Sequence, residues 1–290
     1  MVKLNEKCLA RHEGVWAYEP SRFATAWSLV QQGAYPEIDA MAAARDHAVP
    51  VVDEHGVLVL DMVGPVTKGF SKYGGTSTVA MRETIREAAK DDSVKGILLH
   101  IDSPGGTVAG TQELANDVAA FTLKKPMAVH ASGIMASAAY WIGAWATTIA
   151  ADETTEVGSL GTYLTVVDSS GAAEMEGIKV HLVTSGEFKG LGAAGVEVSD
   201  THLAHLQEVI DDINGLFMRD VSAARGFDVV GAGIADGRTF IASKALGHGL
   251  IDRVQSLDES YAQLVGMVND STRASRARRA RAMADSLRTA

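Results

Sequence analysis

Residues 126–151 contain no Asp, Glu, Lys or Arg, and this passage restricts the fold more than any other stretch of the chain. It is long enough to cross a bilayer as one helix. Ser132, Ser137, Gly133, Gly143, His130, Thr147 and Thr148 dilute its hydrophobicity, however, and divide it into a strand (Pro126 to Ala131), a turn, and a helix that follows Ser137. A charge-free strand and helix must be enclosed by other elements. The passage therefore predicts the centre of an α/β core rather than a membrane span.

The flanking sequence agrees with that reading. Val57–Val63 and Gly96–Asp102 are expected strands, the second almost continuously apolar, and the patterns of Thr76–Lys90 and Thr107–Phe121 predict helices between and after them. Strands alternating with helices imply a largely parallel sheet with surrounding helices. Further strands are expected at Thr147–Ala151, Leu164–Val167 and Lys179–Thr184, and a long helix at Ser199–Arg225 with Ser199 or Asp200 as its cap. Ahead of this body, Phe23, Trp27 and Val30 recur at helical spacing, and a second helix is expected at Ile38–Arg45. The predicted organisation is a helical arm over 1–54, a body over 55–255 and a helical tail over 256–290.

Composition excludes several classes of function. A net charge of -10 argues against general nucleic-acid binding by the body. Cys8 is the single cysteine, which rules out an intramolecular disulfide framework and a multi-cysteine zinc site. Arg11, His12 and Glu13 interrupt the N-terminal sequence, so a secretory leader is not expected. The tail has the opposite character, with Arg273, Arg276, Arg278, Arg279, Arg281 and Arg288 against Asp285. It reads either as a solvated segment or as a docking segment for an acidic protein or nucleic acid.

Three turns could carry chemistry. Ser137 stands between a buried strand and a helix, where backbone N–H groups and the helix dipole adjoin its hydroxyl; such a serine is either a helix N-cap or a nucleophile beside oxyanion donors. Gly105 and Gly106 follow a strand end and precede a helix, a place where backbone N–H groups can face a ligand. Lys189 lies in the glycine-rich loop Ser185–Gly192, read either as a solvated charge or as part of a site at a strand terminus. His130 is near Ser137 in sequence but belongs to the preceding strand, and GxSxG is missing around Ser137, so a Ser-His-Asp site there has little support.

Taken together, Asp102-Ser-Pro-Gly-Gly106, Met135-Ala-Ser-Ala-Ala-Tyr-Trp-Ile142, Thr155-Glu-Val-Gly-Ser-Leu-Gly161 and Thr184-Ser-Gly-Glu-Phe-Lys189 resemble the signal peptide peptidase (SppA) family in order and spacing. The resemblance spans roughly residues 55 to 255 and includes the family's bacteriophage prohead protease branch. It implies a Clp-protease-like and crotonase-like fold and a Ser-Lys endopeptidase without cofactor or metal. In that likeness Ser137 is the nucleophile, Lys189 the general base, and Ser159 the hydroxyl that orients the lysine amine. The N–H of Ala138 and one from Gly105 or Gly106 form the oxyanion hole. Where the family commonly has two glycines after the nucleophile, this chain has Ala138 and Ala139, whose methyl groups narrow the space around the substrate.

A lysine serving as base near neutrality must have its pKa lowered from about 10.4 by burial, and Met135, Phe188 and Leu191 are the expected desolvating neighbours. The resemblance further implies scaffold or capsid proteins as substrates, a homo-oligomer, and work in the host cytoplasm or a procapsid. A soluble bacterial signal-peptide-peptidase-like protease fits the same residues. Two readings from other classes are a crotonase-like acyl-CoA enzyme, which the Ser137, Ser159 and Lys189 set disfavours, and a non-catalytic scaffolding component.

Overall fold

The computed structural model describes residues 15–32, 51–71 and 74–271. The expected helix at Ile38–Arg45, Cys8 and the arginine-rich tail lie outside the described residues.

In chain order the strands are β1 (Trp16–Tyr18), β2 (Val57–Val63), β3 (Val66–Thr67), β4 (Thr76–Ser77), β5 (Gly96–Ser103), β6 (Gly105–Thr107), β7 (Met127–Ala136), β8 (Thr148–Ala151), β9 (Glu156–Gly158), β10 (Thr239–Ile241) and β11 (Arg253–Val254). The helices are α1 (Pro20–Gln31), α2 (Thr78–Ala88), α3 (Thr111–Thr122), α4 (Ala138–Gly143), α5 (Ser170–Met175), α6 (Asp200–Arg225), α7 (Ala242–Gly247) and α8 (257–271).

The main sheet has seven strands, with β7 at its centre. β5 lies on one side of β7 and β2 beyond it; on the other side β8 pairs with the first half of β7 and β9 with the second. β11 pairs with β8, and all these pairings are parallel, with antiparallel β10 beside β9. The architecture is thus the expected α/β type with a mostly parallel sheet. One face of the sheet packs Leu60, Met62, Ile97, Leu99, Ile101 and Val129 against α2, α3 and α4 in the main core. The other face carries Val57, Leu98 and Ala128 and is covered by Leu264 and Val268 of α8.

A second sheet runs β1-β6-β3-β4. Its first strand belongs to the segment expected as an arm, and Trp16, Ala17 and Tyr18 are all buried. It pairs antiparallel with the glycine turn, Ala17 opposite Gly106 and Tyr18 opposite Gly105. A Cβ on Gly106 would lie 1.7 Å from the Val66 carbonyl oxygen, so only glycine fits where β6 meets β3. The helix expected from Thr107 starts at Thr111, because Gly105–Thr107 is used as a strand and Gly110, at φ 90°, makes the turn into the helix.

The strands expected at Leu164–Val167 and Lys179–Thr184 do not form. A strand needs a neighbour for its backbone groups, and β10 already occupies the sheet edge beside β9. The apolar residues of this stretch remain outside the core, with Val167 69%, Met175 91% and Val183 95% exposed. The long helix α6 does form. Ser199 accepts from the His202 N–H at its start, and Trp141 of α4 stacks on Phe217 with centroids 4.5 Å apart. The Trp141 indole donates to Asp220 at 3.1 Å, which fixes α4 against α6.

Candidate active site

Strand β7 is longer than the sequence suggests. It runs to Ala136, and the chain turns into α4 at Ser137, where φ is 56° and ψ is -118°. Among the described residues Ser137 and Ser159 (φ 51°) are the non-glycine residues with positive φ, a conformation that costs an L residue steric strain and clusters at functional sites. Both serines are buried, and the Ser137 N–H donates to the Gly158 carbonyl at 2.8 Å, so the two strained turns are joined by backbone.

Ser137 occupies the N-cap position of α4, yet its side chain makes no capping bond. Its hydroxyl instead approaches the Gly161 carbonyl at 3.4 Å. Of the two sequence readings, a simple helix cap therefore lacks the bond that defines it. The strained turn also brings the Ala138 amide against the glycine turn, since a Cβ on Gly105 would lie 2.9 Å from the Ala138 nitrogen. Gly105 itself has φ 94°.

The two glycine amides differ in availability. The Glu19 N–H donates to Pro104 at 2.7 Å and the Val108 N–H to Val15 at 3.2 Å. By the alternation of an antiparallel ladder, Ala17 and Gly106 exchange bonds, which commits the Gly106 N–H to β1. The Gly105 N–H points away from β1 by the same alternation and makes a 3.3 Å contact to Ser103 Oγ. Gly105 therefore has the more exchangeable donor beside Ala138.

Lys189 stands apart. It is exposed in the stretch between β9 and α6, and its amine makes no hydrogen bond to Ser137 or Ser159. Of the expected desolvating neighbours, Met135 is buried in the core, while Phe188 packs on His205 of α6 with centroids 4.8 Å apart. The geometry thus joins Ser137, Ser159, Ala138, Gly105 and Gly106 and leaves Lys189 outside them.

His130 does not serve Ser137. Its Nδ1 is 2.9 Å from Ser260 Oγ, its Nε2 is 3.5 Å from an Asp152 oxygen, and burial pushes its pKa down against the opposing pull of Asp152. A serine network that the sequence reading missed lies on the sheet face that carries Leu98. There His100 Nε2 is 2.6 Å from Ser132 Oγ and His100 Nδ1 is 2.9 Å from Asp61 Oδ1. The nearby Ile134 N–H is taken by Asp102 Oδ1 at 3.2 Å, so a carboxylate stands where an oxyanion would require a donor. Asp61 and His100 are register partners on adjacent strands, a relation legible only once the pairing is known.

No helix among the described residues is long and apolar enough to cross a membrane. Residues 126–151 instead form β7, α4 and β8.

Comparison with known proteins places this geometry in context. The chain is 32% identical to a provisionally named protease of Methanocaldococcus jannaschii, over 63% of this chain and 59% of that one. It is 28% identical to the capsid assembly protease C of Escherichia phage lambda, over 69% of this chain and 46% of the phage protein. It is also 28% identical to a provisionally named signal peptide peptidase SppA of Enterococcus faecium, over 59% of this chain and 50% of that protein. The chain thus spans about half the length of these curated relatives. The model of peptidase family S49 matches residues 119–269, from the end of α3 to α8, which takes in the Ser137 turn, Ser159 and Lys189. With just over half of its length matched by that model, the chain belongs to peptidase family S49.

Proposed function

We propose that this chain is a serine endopeptidase in which Ser137 attacks the scissile carbonyl and Lys189 is the general base. The observation that carries the reading is the strained, uncapped Ser137 at the β7–α4 turn, with the Ala138 and Gly105 amides beside it. In the attack step the Ser137 proton passes to the neutral Lys189 amine, the Oγ–C bond forms, and the oxyanion is held by the Ala138 and Gly105 N–H groups. Lys189 then protonates the leaving amine as the C–N bond breaks. A water activated by the same lysine releases the acyl group. Ser159 orients the amine, and the Ser137 contact to Gly161 is exchanged for one to Lys189.

This chemistry requires the Lys189 loop to close over Ser137 and shed water, because an exposed ammonium is a poor base near neutrality. The exposed Val167, Met175, Val183 and Phe188 around it supply apolar surface for such a closure. The same surface supports a homo-oligomer, in which neighbouring copies cover what one chain leaves open. Likeness to the lambda capsid assembly protease supports scaffold or capsid proteins as substrates in the host cytoplasm or a procapsid. The Enterococcus relative supports a signal-peptide-peptidase-like role as the second reading.

The test is intact mass spectrometry of the protein, Ser137→Ala and Lys189→Ala, each incubated alone, with a scaffold protein and with a signal peptide. Cleavage by the parent and by neither variant supports the dyad, and the substrate that is cut chooses between the two roles. Cleavage that persists in both folded variants sinks it.

A further inference from the structure

The groups assigned to the attack step are closed off from solvent. Ser137 and Ala138 have 0% exposed surface and Gly105 is buried, so no peptide carbonyl reaches the Ser137 hydroxyl with the chain as it stands. Part of the cover must move.

The segments around Ser137 are held very unequally. Strand β1 is fixed to the glycine turn by its ladder, by the Glu19 N–H to the Pro104 carbonyl at 2.7 Å and by the Val108 N–H to the Val15 carbonyl at 3.2 Å. Residues 161–163 are held by less. The Ser137 hydroxyl meets the Gly161 carbonyl at 3.4 Å, and Thr162 Oγ1 meets the Ile210 carbonyl at 3.4 Å. Tyr163 forms an isolated bridge to β1, its N–H donating to Trp16 at 3.0 Å and the Trp16 N–H donating back at 2.9 Å. Before this stretch the chain is anchored, since the Ser159 N–H donates to Arg238 at 2.8 Å, the Gly237 N–H donates to Leu160 at 3.0 Å, and Leu160 is buried. After it, residues 164–169 belong to no helix or strand.

There is room for residues 161–163 to move. A cavity of 370 Å³ is lined by Ser159–Tyr163 on one side and by Gln207, Ile210, Asp211 and Asn214 of α6 on another, while Ser137, Ala138 and Gly105 do not line it. The stretch therefore stands between Ser137 and an open space. Gly161 suits a hinge, because even an added Cβ would meet nothing nearer than 3.7 Å. The closed position also carries a cost: the Tyr163 hydroxyl and Asn214 Oδ1 are buried without a hydrogen-bond partner among the described residues. Water supplies those bonds once the wall shifts, which lowers the cost of opening.

We propose that residues 161–163 form a strap over Ser137 that hinges at Gly161 and opens into this cavity, breaking the Trp16–Tyr163 bridge while β1 stays on the glycine turn. Opening takes the Gly161 carbonyl off the Ser137 hydroxyl and admits the substrate. The proposal rests on the Ser137 peptidase reading and adds a gating step to it.

The experiment locks the strap. Trp16 and Tyr163 exchange both bonds of an antiparallel pair, which sets their Cα atoms about 5.5 Å apart, within disulfide reach. Trp16→Cys and Tyr163→Cys are combined with Cys8→Ser, and the oxidised and reduced forms are treated with diisopropyl fluorophosphate. Labelling forms the Oγ–P bond as the P–F bond breaks, with fluoride leaving and the hydroxyl proton passing to solvent. Intact mass follows it, and the same protein carrying Ser137→Ala is the blank. The reduced form should label at least about tenfold faster than the oxidised form. Equal rates overturn the strap. A label absent from both the reduced form and the parent sinks the Ser137 reading instead, and the gate falls with it.

A second measurement needs neither the cysteines nor a reactive serine. In amide hydrogen exchange of the parent protein, the Trp16 and Tyr163 amides should exchange at least about tenfold faster than those of Glu19 and Ser137. Equally slow exchange at all four overturns the strap. So does a Glu19 amide as fast as that of Trp16, since β1 itself would then be the part that moves.

Discussion

The two members of the proposed dyad sit in unlike surroundings. Ser137 is held by the centre of the main sheet, fully buried, with its backbone locked to Gly158 and its helix pinned by Trp141 against Phe217 and Asp220. Lys189 sits in a stretch where Val167, Met175 and Val183 face outward and the expected strands are missing. The geometry of the proposed nucleophile is thus made by packing within one chain, and that of the proposed base is not. In such an arrangement the serine turn persists in the isolated chain, and catalytic competence depends on what covers the second region.

This contrast can be broken most directly through activity. Ser137→Ala and Lys189→Ala should each lower kcat/KM by about a thousandfold or more, while neither shifts the denaturant midpoint as a core truncation does. An unfolding shift in Lys189→Ala as large as that of a core variant would mean that the loop is part of the folded core after all. The next largest effect belongs to the buried side. Trp141→Ala removes a fully buried ring and its bond to Asp220, and should cost about 3–5 kcal/mol in chemical denaturation.

A smaller effect is expected from pH. The folded protein holds His130 below its ordinary pKa of 6.5, chiefly through burial. Between that value and the lower folded one, the unfolded chain binds the extra proton. The contribution of His130 is therefore full above 6.5 and is lost as pH falls through the folded value. Urea midpoints measured from about pH 7.5 down to about pH 5 should decline more steeply for the parent than for His130→Asn. Equal slopes would remove His130 from the account. Smallest of all, Val183→Ala should change the stability of the dilute chain by no more than about 0.5 kcal/mol. A much larger loss that appears only at high protein concentration would sharpen the contrast, by showing that another copy buries this residue.

How much could be read in the sequence follows the same division. The strands at 57–63 and 96–102 and the helix at 199–225 carry their own periodicity, and each appears within a residue or two of its expected place. The serine turn was legible because a charge-free stretch interrupted by Ser137 had few ways to fold. The strands expected near 164–167 and 179–184 failed for a reason no local pattern contains: their apolar alternation is real, but β10, far along the chain, has taken the sheet edge. Residues 16–18 went unrecognised as a strand because a three-residue strand is defined by its partner, here the glycine turn. Asn214 of α6 and Tyr163 after β9 lie far apart in sequence and line one cavity, a relation that no local pattern contains.

Strand β1 gives the chain an early point of failure. Ala17 holds Gly106 in its ladder, and its carbonyl lies so close to Gly105 that a Cβ there would come within 2.3 Å of it. Removal of the chain past residue 18 would therefore strip the backing from the glycine turn beside Ala138, and with it the proposed oxyanion donors, while leaving the side chain of Ser137 unchanged.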